Sequence, residues 1–591
     1  MSSTSGSEPK VEEKSEATKV DHYDGAHRIA TKEKVPGHEN YYERDGLRTY
    51  GDGEDHDHEP PMTFARLMSL IAMALLWTGS QIPVYLYGGC PPYIYGDIGG
   101  VDRWTWFVLA NLLSLAAICP FVGSISDIIG RRYVALIGGT LLIIGNCVCA
   151  TAHSMNIFIG GQVFNGVGAG INELTALAAT SEMAPTRKRG LYVGILIFTI
   201  VPFTPSVLYA QLIAYYGSWR YCGLICGIWA FLGTVLIGCF YFPPPRVNSS
   251  GLSRKEVAKQ IDYIGGVLSI SGMLLFMMGL QWGGYQYKWV SSHVLTTLLL
   301  GIFLIIAFVI YEAKFAPHPM FPRRLQQNPR VLALTLLITF ISGANFFSVL
   351  MFWPTQAYNI YGHNPVGVGL RGLPIGLSIM SGAVIVLILL TVTRGKIRML
   401  MVCSTILMTL GTGLMSLART DNIGPVIVIL IVAGLGIGGI LVPASIITTI
   451  VCPDDLIATV SALTLSIRVL GGSIGYAVYY NVFYNKFVGL AIEHVGTATV
   501  VSTGSADPKL IETIISLTGA SLLDHIKALP QVAAVPGAYE AIVHAGQVAF
   551  ELAYRYVYYV SIAFGGVSII AACFLGNITE FMDDHVAVVI A

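Results

Sequence analysis

The chain has 591 residues, of which 54% are hydrophobic and only 12% are charged, and its mean hydropathy is +0.65. Soluble domains carry about 25% charged residues, so a water-soluble protein of this composition would expose too much apolar surface. The 35 basic and 35 acidic residues cancel, and no basic face points to a nucleic-acid partner. The composition therefore indicates an integral membrane protein.

The first 61 residues form a polar segment with eight basic and fifteen acidic side chains. Such a segment cannot bury enough apolar surface to offset its loss of conformational entropy, so we predict that residues 1–61 are a disordered tail. The acidic, histidine-containing run at 55–59 is interpreted as a solvated stretch rather than a metal site. We predict no bound metal and no cofactor for this chain.

Fourteen apolar runs of about twenty residues follow the tail, and each is long enough to cross ~30 Å of hydrocarbon as a helix. Inside a bilayer a helix satisfies all of its own backbone hydrogen bonds. The predicted fold class is therefore an all-α polytopic membrane protein with 14 transmembrane helices. The predicted spans are 64–86, 105–126, 133–151, 156–179, 190–214, 219–241, 263–281, 293–313, 331–353, 367–391, 398–417, 424–450, 458–486 and 549–576.

The connections between these spans divide them into groups of six, two and six. A 6+2+6 arrangement suggests two six-helix halves joined by a two-helix insert, as in transporters built from repeats. We predict an N-terminal half at 62–242, linkers and insert at 243–330, and a C-terminal half at 331–591. The last of these contains a long loop, 487–548, on the extracytosolic side.

The orientation follows from the distribution of basic residues. Sixteen Lys and Arg residues lie in the loops after even-numbered spans, whereas the short loops on the other side contain only three. Because positive charge is retained on the cytoplasmic side, we predict that both termini are cytosolic.

A short loop after the second span contains a candidate conformational switch. The segment 123–132 places Gly123, Asp127 and Gly130 ahead of the adjacent Arg131 and Arg132. Glycines permit a tight turn, and an acid followed by two arginines can exchange partners between helix ends as helices move. An ordinary positive anchor is the alternative.

Two charged residues lie deep inside predicted spans. Glu173 is about ten residues, or roughly 15 Å, from the cytoplasmic end of the fourth span, and Arg468 is similarly deep in the thirteenth. Charges at such depth are costly and usually line a cavity. Glu173 is a candidate proton carrier, the alternative being a neutral carboxyl bonded between helices. Arg468 has either a structural role between helices or a role in substrate binding or proton coupling.

Several of these segments carry a family resemblance. The loop 123–132 and the segments 161–173 and 182–190 resemble the signature patterns of the major facilitator superfamily. Together with 261–266, 281–285, 455–459 and 574–585, they resemble the fungal trichothecene efflux pump family, a fourteen-span branch close to siderophore-iron transporters.

The resemblance implies a major facilitator fold that works by alternating access, with a proton entering as substrate leaves. Glu173, Asp127 and Arg468 are then the expected proton-coupling residues. Spans 1, 4, 9 and 12 are expected to line a cavity for a bulky, mostly apolar metabolite. The expected cavity residues are Trp77, Gln81, Tyr85, Asn165, Asn172, Asn345, Trp353, Gln356, Ser445 and Thr448.

Three functions remain compatible with the sequence: proton-coupled efflux of a toxin or drug, proton-coupled import of a ferric siderophore, and a receptor-like role without transport. No phosphate-binding G-x-x-x-x-G-K-[ST] motif is present, which disfavours pumping driven by ATP. No motif of a membrane enzyme appears either. We expect a monomer in the plasma membrane, with a vesicle or vacuole membrane as the alternative.

Overall fold

A computed structural model describes most of the chain after the tail. The described residues are 30–31, 41–44, 47–50, 62–103, 105–184, 188–243, 262–284, 286–317, 329–393, 396–452 and 457–576.

The N-terminal half is a bundle of long helices joined by short turns. The fifth predicted span, 190–214, is broken into two helices, because Pro202 and Pro205 lack the N–H groups that a continuous helix needs. The helices are α1 (Phe64–Gly88), α2 (Pro91–Ile98), α3 (Thr105–Ile129), α4 (Arg131–Ala150), α5 (Met155–Met183), α6 (Arg189–Phe198), α7 (Ser206–Tyr216) and α8 (Arg220–Phe240).

The insert and the C-terminal half follow the same plan. Their helices are α9 (Tyr263–Trp282), α10 (Ser292–Lys314), α11 (Pro329–Tyr361), α12 (Pro365–Val392), α13 (Ile397–Leu414), α14 (Ile423–Val451), α15 (Ile457–Ala491), α16 (Thr497–Thr503), α17 (Pro508–Gly519), α18 (Leu523–Lys527), α19 (Pro530–Ala533) and α20 (Ala538–Cys573).

Twelve segments of the described chain are long and apolar enough to cross a membrane. They correspond to predicted spans 1, 3 and 5 to 14, with Leu191–Tyr216 counted across the break between α6 and α7. The helices at predicted spans 2 and 4, α3 and α5, are 25 and 29 residues long but are not among the twelve. The all-helical membrane architecture is therefore confirmed, whereas the count of fourteen spans remains a prediction.

The two halves meet through a few helix pairs. Helix α3 of the N-terminal half packs on α15, and α7 packs on α12, while α5 also reaches α15. The insert helices α9 and α10 pack on one another, and α9 touches both α3 and α15. The insert is thus positioned beside one of the seams between the halves.

The connection predicted as a long loop at 487–548 is largely helical. Helix α15 runs to Ala491, a π-helical turn at Ile492–Gly496 carries the chain into α16, and α17 to α19 precede the start of α20 at Ala538. The segment lies at the end of the bundle where α1 ends, and we call residues 487–548 the cap. The prediction of a loop missed these helices because their polar residues interrupt the apolar runs that identify spans.

The tail also departs from the prediction of disorder at three places. Short antiparallel strands occur at Ala30–Thr31 (β1), Tyr41–Arg44 (β2) and Leu47–Tyr50 (β3), in the order β1-β2-β3. Tyrosine and threonine favour strands, and the two residues between β2 and β3 are Asp-Gly, a typical hairpin dipeptide. The acidic run at 55–59 lies outside the described residues.

Candidate functional site

A central cavity lies between the two halves. Its empty space is about 800 Å³ when the openings to solvent are included. The wall combines an apolar surface with a polar side. Its residues are Trp77, Ser80, Gln81, Val84, Tyr85, Leu112, Leu115, Glu173, Leu177, Ile197, Ile200, Phe346, Phe347, Ile379, Met380, Leu441, Val442, Ser445, Arg468 and Val469.

An ion pair in the wall joins the two halves. Glu173 on α5 accepts a hydrogen bond from the guanidinium of Arg468 on α15, 295 residues away in the chain. The two side chains are 2% and 9% exposed, so neither charge is solvated in this conformation. Breaking a buried pair leaves an uncompensated charge, so the two halves are coupled electrostatically at this point.

A chain of hydrogen bonds extends the ion pair along α1. The Gln81 Nε2 group donates to Glu173 Oε2 at 2.8 Å, and the Tyr85 hydroxyl donates to Gln81 Oε1 at 3.3 Å. Because Gln81 and Tyr85 are four residues apart, they lie on the same face of the helix. Three helices from both halves thus contribute to one polar network.

Close helix packing fixes the position of Arg468. A Cβ atom added to Gly343 on α11 would lie 2.0 Å from the Arg468 carbonyl oxygen, so only glycine permits this approach. The same holds at Gly471, where a Cβ atom would meet the Phe340 carbonyl oxygen at 2.0 Å. Small residues therefore bring the α15 backbone against α11 and hold the guanidinium at the cavity.

Arg131 and Arg132 of the predicted switch loop both contact residues of the N-terminal half. Gly130 has φ of +100° and links α3 to α4, a conformation that favours glycine. Arg131 forms a buried ion pair with Glu182 at the end of α5. Arg132 donates to the Gly238 carbonyl at 2.7 Å, near the C-terminus of α8, where a cation is favoured.

The other two predicted residues of the switch loop, Gly123 and Asp127, belong to α3. Gly123 is buried in α3. Asp127 belongs to the same helix, but its side chain lies outside the described part of the structure, so its predicted role in proton coupling stays a prediction.

Four of the ten predicted cavity residues line the cavity. Trp77, Gln81 and Tyr85 follow one face of α1, and Ser445 projects from α14. The spacing of four residues along α1 explains why the first three share a wall.

The predicted asparagines of α5 lie away from the cavity. Asn165 donates to Asn146 Oδ1 on α4 at 3.4 Å. Asn172 lies against the α4 backbone, where its amide, oriented to satisfy both groups, donates to the Ala135 carbonyl at 3.1 Å and accepts from the Gly139 N–H at 3.2 Å. Both residues therefore join helices of the same half.

The predicted residues of α11 are also outside the central cavity. Asn345 accepts from the Tyr479 hydroxyl at 2.9 Å and lines a second, smaller cavity inside the C-terminal half. Gln356 accepts from Tyr558. The Trp353 indole donates to the carbonyl oxygen of Arg371 at 2.8 Å, at the start of α12.

Thr448 is the last of the predicted set. It shares a hydrogen bond with Thr464 at 3.0 Å, between α14 and α15, rather than facing the cavity. Each of the six residues outside the wall forms a hydrogen bond with a neighbouring helix, which is the usual use of polar groups in membrane bundles.

Most of the apolar wall was not predicted from the sequence. Helices α3, α6, α12 and α15 contribute residues such as Leu112, Ile197 and Met380, and α11 contributes Phe346 and Phe347. Apolar side chains in a span carry no signal that separates a cavity wall from a lipid-facing or packed surface. Among the described residues, no group of three or more His, Cys, Asp or Glu side chains is placed to hold a metal ion.

A missed arginine holds the end of α5 opposite the cap. Arg66 on α1 is 1% exposed and donates to the Met183 carbonyl at 3.0 Å. Because Met183 is the last residue of α5, the guanidinium satisfies a carbonyl at a helix C-terminus. Its position near the start of the first span could have suggested such a role.

Comparison with known proteins places these features in a family. A profile of the fungal trichothecene efflux pump family (TRI12) matches residues 69–591. The trichothecene efflux pump TRI12 of Fusarium sporotrichioides is 24% identical over 84% of this chain and 83% of its own. The MFS-type transporter gkaD of Penicillium citrinum is 27% identical over 63% of this chain and 63% of its own. The MFS-type transporter ucsD of Acremonium is 28% identical over 55% of this chain and 55% of its own. The chain therefore matches less than two thirds of the length of each of these two relatives.

Solved structures agree on the fold. The proton:xylose symporter XylE of the major facilitator superfamily matches with a TM-score of 0.50 and 12% identity, over 87% of this chain and 98% of its own. A bacterial homologue of the human lysosomal transporter Spinster matches with a TM-score of 0.50 and 14% identity, over 87% of this chain and 97% of its own. The chain has the major facilitator fold and belongs to the fungal trichothecene efflux pump family.

Proposed function

We propose that this protein exports a bulky, mostly apolar toxin or related metabolite in exchange for protons. The observation that carries the proposal is the buried Glu173–Arg468 pair, which joins the halves in the wall of the central cavity. Membership of an efflux pump family supports export, and a relative is named as a trichothecene efflux pump. These names favour efflux over siderophore import.

The pair supplies a mechanism for the exchange. With Glu173 ionised, its attraction to Arg468 holds the halves together around the cavity. Protonation removes the negative charge, so the pair no longer opposes separation of the halves. A proton that enters from outside therefore changes the balance between the two conformations, and its release to the cytosol restores the pair.

The membrane arrangement belongs to the same proposal. We infer fourteen spans in a 6+2+6 order, with α3 and α5 crossing the membrane as well as the twelve apolar segments. At 1.5 Å per residue, α3 and α5 are about 38 and 44 Å long, which exceeds the hydrocarbon thickness. Polar residues of α5 are accommodated because they face the cavity or form hydrogen bonds with α3 and α4. Both termini are then cytosolic, in a monomer of the plasma membrane.

The test uses purified protein reconstituted in liposomes with the cytosolic face outward. With an acidic lumen, tritiated trichothecene added outside should accumulate inside, and a protonophore should abolish the accumulation. ATP should have no direct effect. Protein-free liposomes provide the control for passive partition. Accumulation that persists without a proton gradient, or that requires ATP, would contradict the proposal.

A further inference from the structure

Most polar groups in the cavity wall already have partners within the protein. Glu173, Arg468, Gln81 and Tyr85 form one continuous network. Ser80 donates to the Trp77 carbonyl at 2.7 Å. These groups therefore have limited capacity to recognise a bound molecule unless the network rearranges.

The indole nitrogen of Trp77 is the exception. Trp77 is 6% exposed, and within the part of the chain that the structure describes its Nε1 atom has no hydrogen-bond partner. Of the described residues that line the cavity, Trp77 alone has a buried polar side-chain atom without a hydrogen-bond partner. Buried donors are nearly always paired in folded proteins, so an unpaired donor on a residue that lines a cavity calls for an explanation.

We propose that the Trp77 indole N–H recognises a hydrogen-bond acceptor oxygen on the transported molecule, such as a carbonyl, ether or epoxide oxygen. This inference rests on the proposed transport function and specifies its substrate class further. A site that is built to pair a donor discriminates strongly against an analogue that lacks the acceptor, because the donor is then left unpaired.

The helix geometry places this acceptor relative to the charged pair. Trp77 and Gln81 are four residues apart on α1, so they are separated by about 6 Å along the helix axis. Gln81 contacts Glu173. The recognised oxygen therefore lies about one helical turn from the carboxylate, on the side nearer the start of α1. The apolar body of the molecule faces residues such as Leu112, Phe347 and Met380.

The chain offers a matched control. Trp229 on α8 also has a buried indole nitrogen without a partner among the described residues, but it is not in the cavity wall. It packs on Phe203 with ring centroids 4.9 Å apart. Trp77→Phe and Trp229→Phe therefore each remove a buried indole N–H without a partner among the described residues. Only Trp77 belongs to the cavity wall.

The first measurement is equilibrium binding of a tritiated keto-trichothecene to purified protein in detergent. Trp77→Phe should weaken binding by about 5- to 100-fold, the range for a donor–acceptor pair removed from a buried site. Trp229→Phe should leave the affinity within about twofold, as expected for a change outside the wall. Equal effects of the two substitutions would overturn the inference.

The second measurement detects hydrogen bonding of the indole directly. In ultraviolet resonance Raman spectra of the wild type, the indole band that responds to N–H hydrogen bonding should shift when the same toxin is added. The shift should persist in Trp229→Phe and be absent in Trp77→Phe. Binding to the wild type without any shift would overturn the role of Trp77 while leaving transport intact. Absence of binding to the wild type would instead contradict the proposed function.

Discussion

Two buried arginine–glutamate pairs in this protein have the same chemistry but different connections. Arg131 and Glu182 join α4 to α5, both within the N-terminal half, and both side chains are 5% exposed. Glu173 and Arg468 join α5 to α15 and so connect the halves. A pair inside one rigid half can persist while the halves move, whereas a pair between them opposes their separation. The helices that a pair joins, rather than the depth at which it is buried, therefore decide whether the pair can respond to movement of the halves.

The largest effect is expected when Glu173 is changed to Gln. The amide keeps nearly the same volume but cannot release a proton, so net proton-driven efflux should fall at least 100-fold. Exchange of labelled for unlabelled toxin across liposomes should continue, because it requires no net proton movement. Transport is measured per folded protein in reconstituted liposomes.

The matched control is Glu182→Gln, which removes the other buried carboxylate of α5. Its transport per folded molecule should stay within about threefold of the wild type, since this pair lies inside one half. Full proton-driven efflux in the Glu173 variant would remove that residue as the coupling site and direct attention to Asp127.

The second effect concerns stability. Arg131→Gln should lower the free energy of unfolding, by up to about 3–5 kcal/mol, because it removes the Arg131 partner of the buried Glu182 carboxylate. The double variant with Glu182→Gln should recover part of this loss, since the carboxylate that loses this partner is then also neutral. Denaturant titration in detergent measures the free energy of unfolding of both variants. An Arg131→Gln variant as stable as the wild type would show that the pair contributes nothing to stability.

A third, smaller effect tests the contact between the cap and the N-terminal half. The Tyr95 hydroxyl on α2 donates to the Ala520 carbonyl in the cap at 2.5 Å. Ser521, the next residue, has φ of 60° and is the single non-glycine residue with positive φ in the described chain. Tyr95→Phe removes a hydrogen bond worth about 0.5–1.5 kcal/mol between the cap and the N-terminal half. The population of the conformation in which the central cavity is open on the cap side should therefore rise about two- to tenfold.

The readout for this variant is the labelling rate of Ser445→Cys in the central cavity by an impermeant maleimide added from the cap side. Tyr93→Phe, on the same short helix, is the control and should leave the rate unchanged. Equal labelling in the Tyr95 variant and the parent would indicate that the cap contact does not restrain opening.

Much of this arrangement can be predicted from the sequence, but the contacts between distant residues cannot. Glu173 and Arg468 were identified separately, because a charge in an apolar run is conspicuous at any position. Their pairing depends on how α5 and α15 pack, and the 295 residues between them contain no local signal for it. Asn165 and Asn172 show the converse: their residue type suggested a cavity, yet which face of α5 meets α4 is decided by packing.

The smallest effect concerns a third ion pair, at the surface. Asp97 on α2 pairs with Arg220 at the start of α8 and accepts from the Trp219 indole at 3.0 Å. These hydrogen bonds hold the pKa of the Asp97 carboxyl below its usual range, with Arg220 as the main cause. Half of the Asp97 side chain is exposed, so the pair is worth less than about 1 kcal/mol.

Because the folded-state pKa is lowered, the stabilisation is fully present above the unfolded value of about 3.9 and is lost as the pH falls through the folded value. Asp97→Asn should therefore lower the thermal unfolding midpoint slightly at pH 7, and the difference from the wild type should shrink below about pH 4. High salt at pH 7 should also reduce the difference, since exposed charges are screened. The change in the unfolding midpoint caused by removing the buried Arg131–Glu182 pair should depend much less on salt. A salt effect of equal size on both would contradict the distinction between buried and exposed pairs.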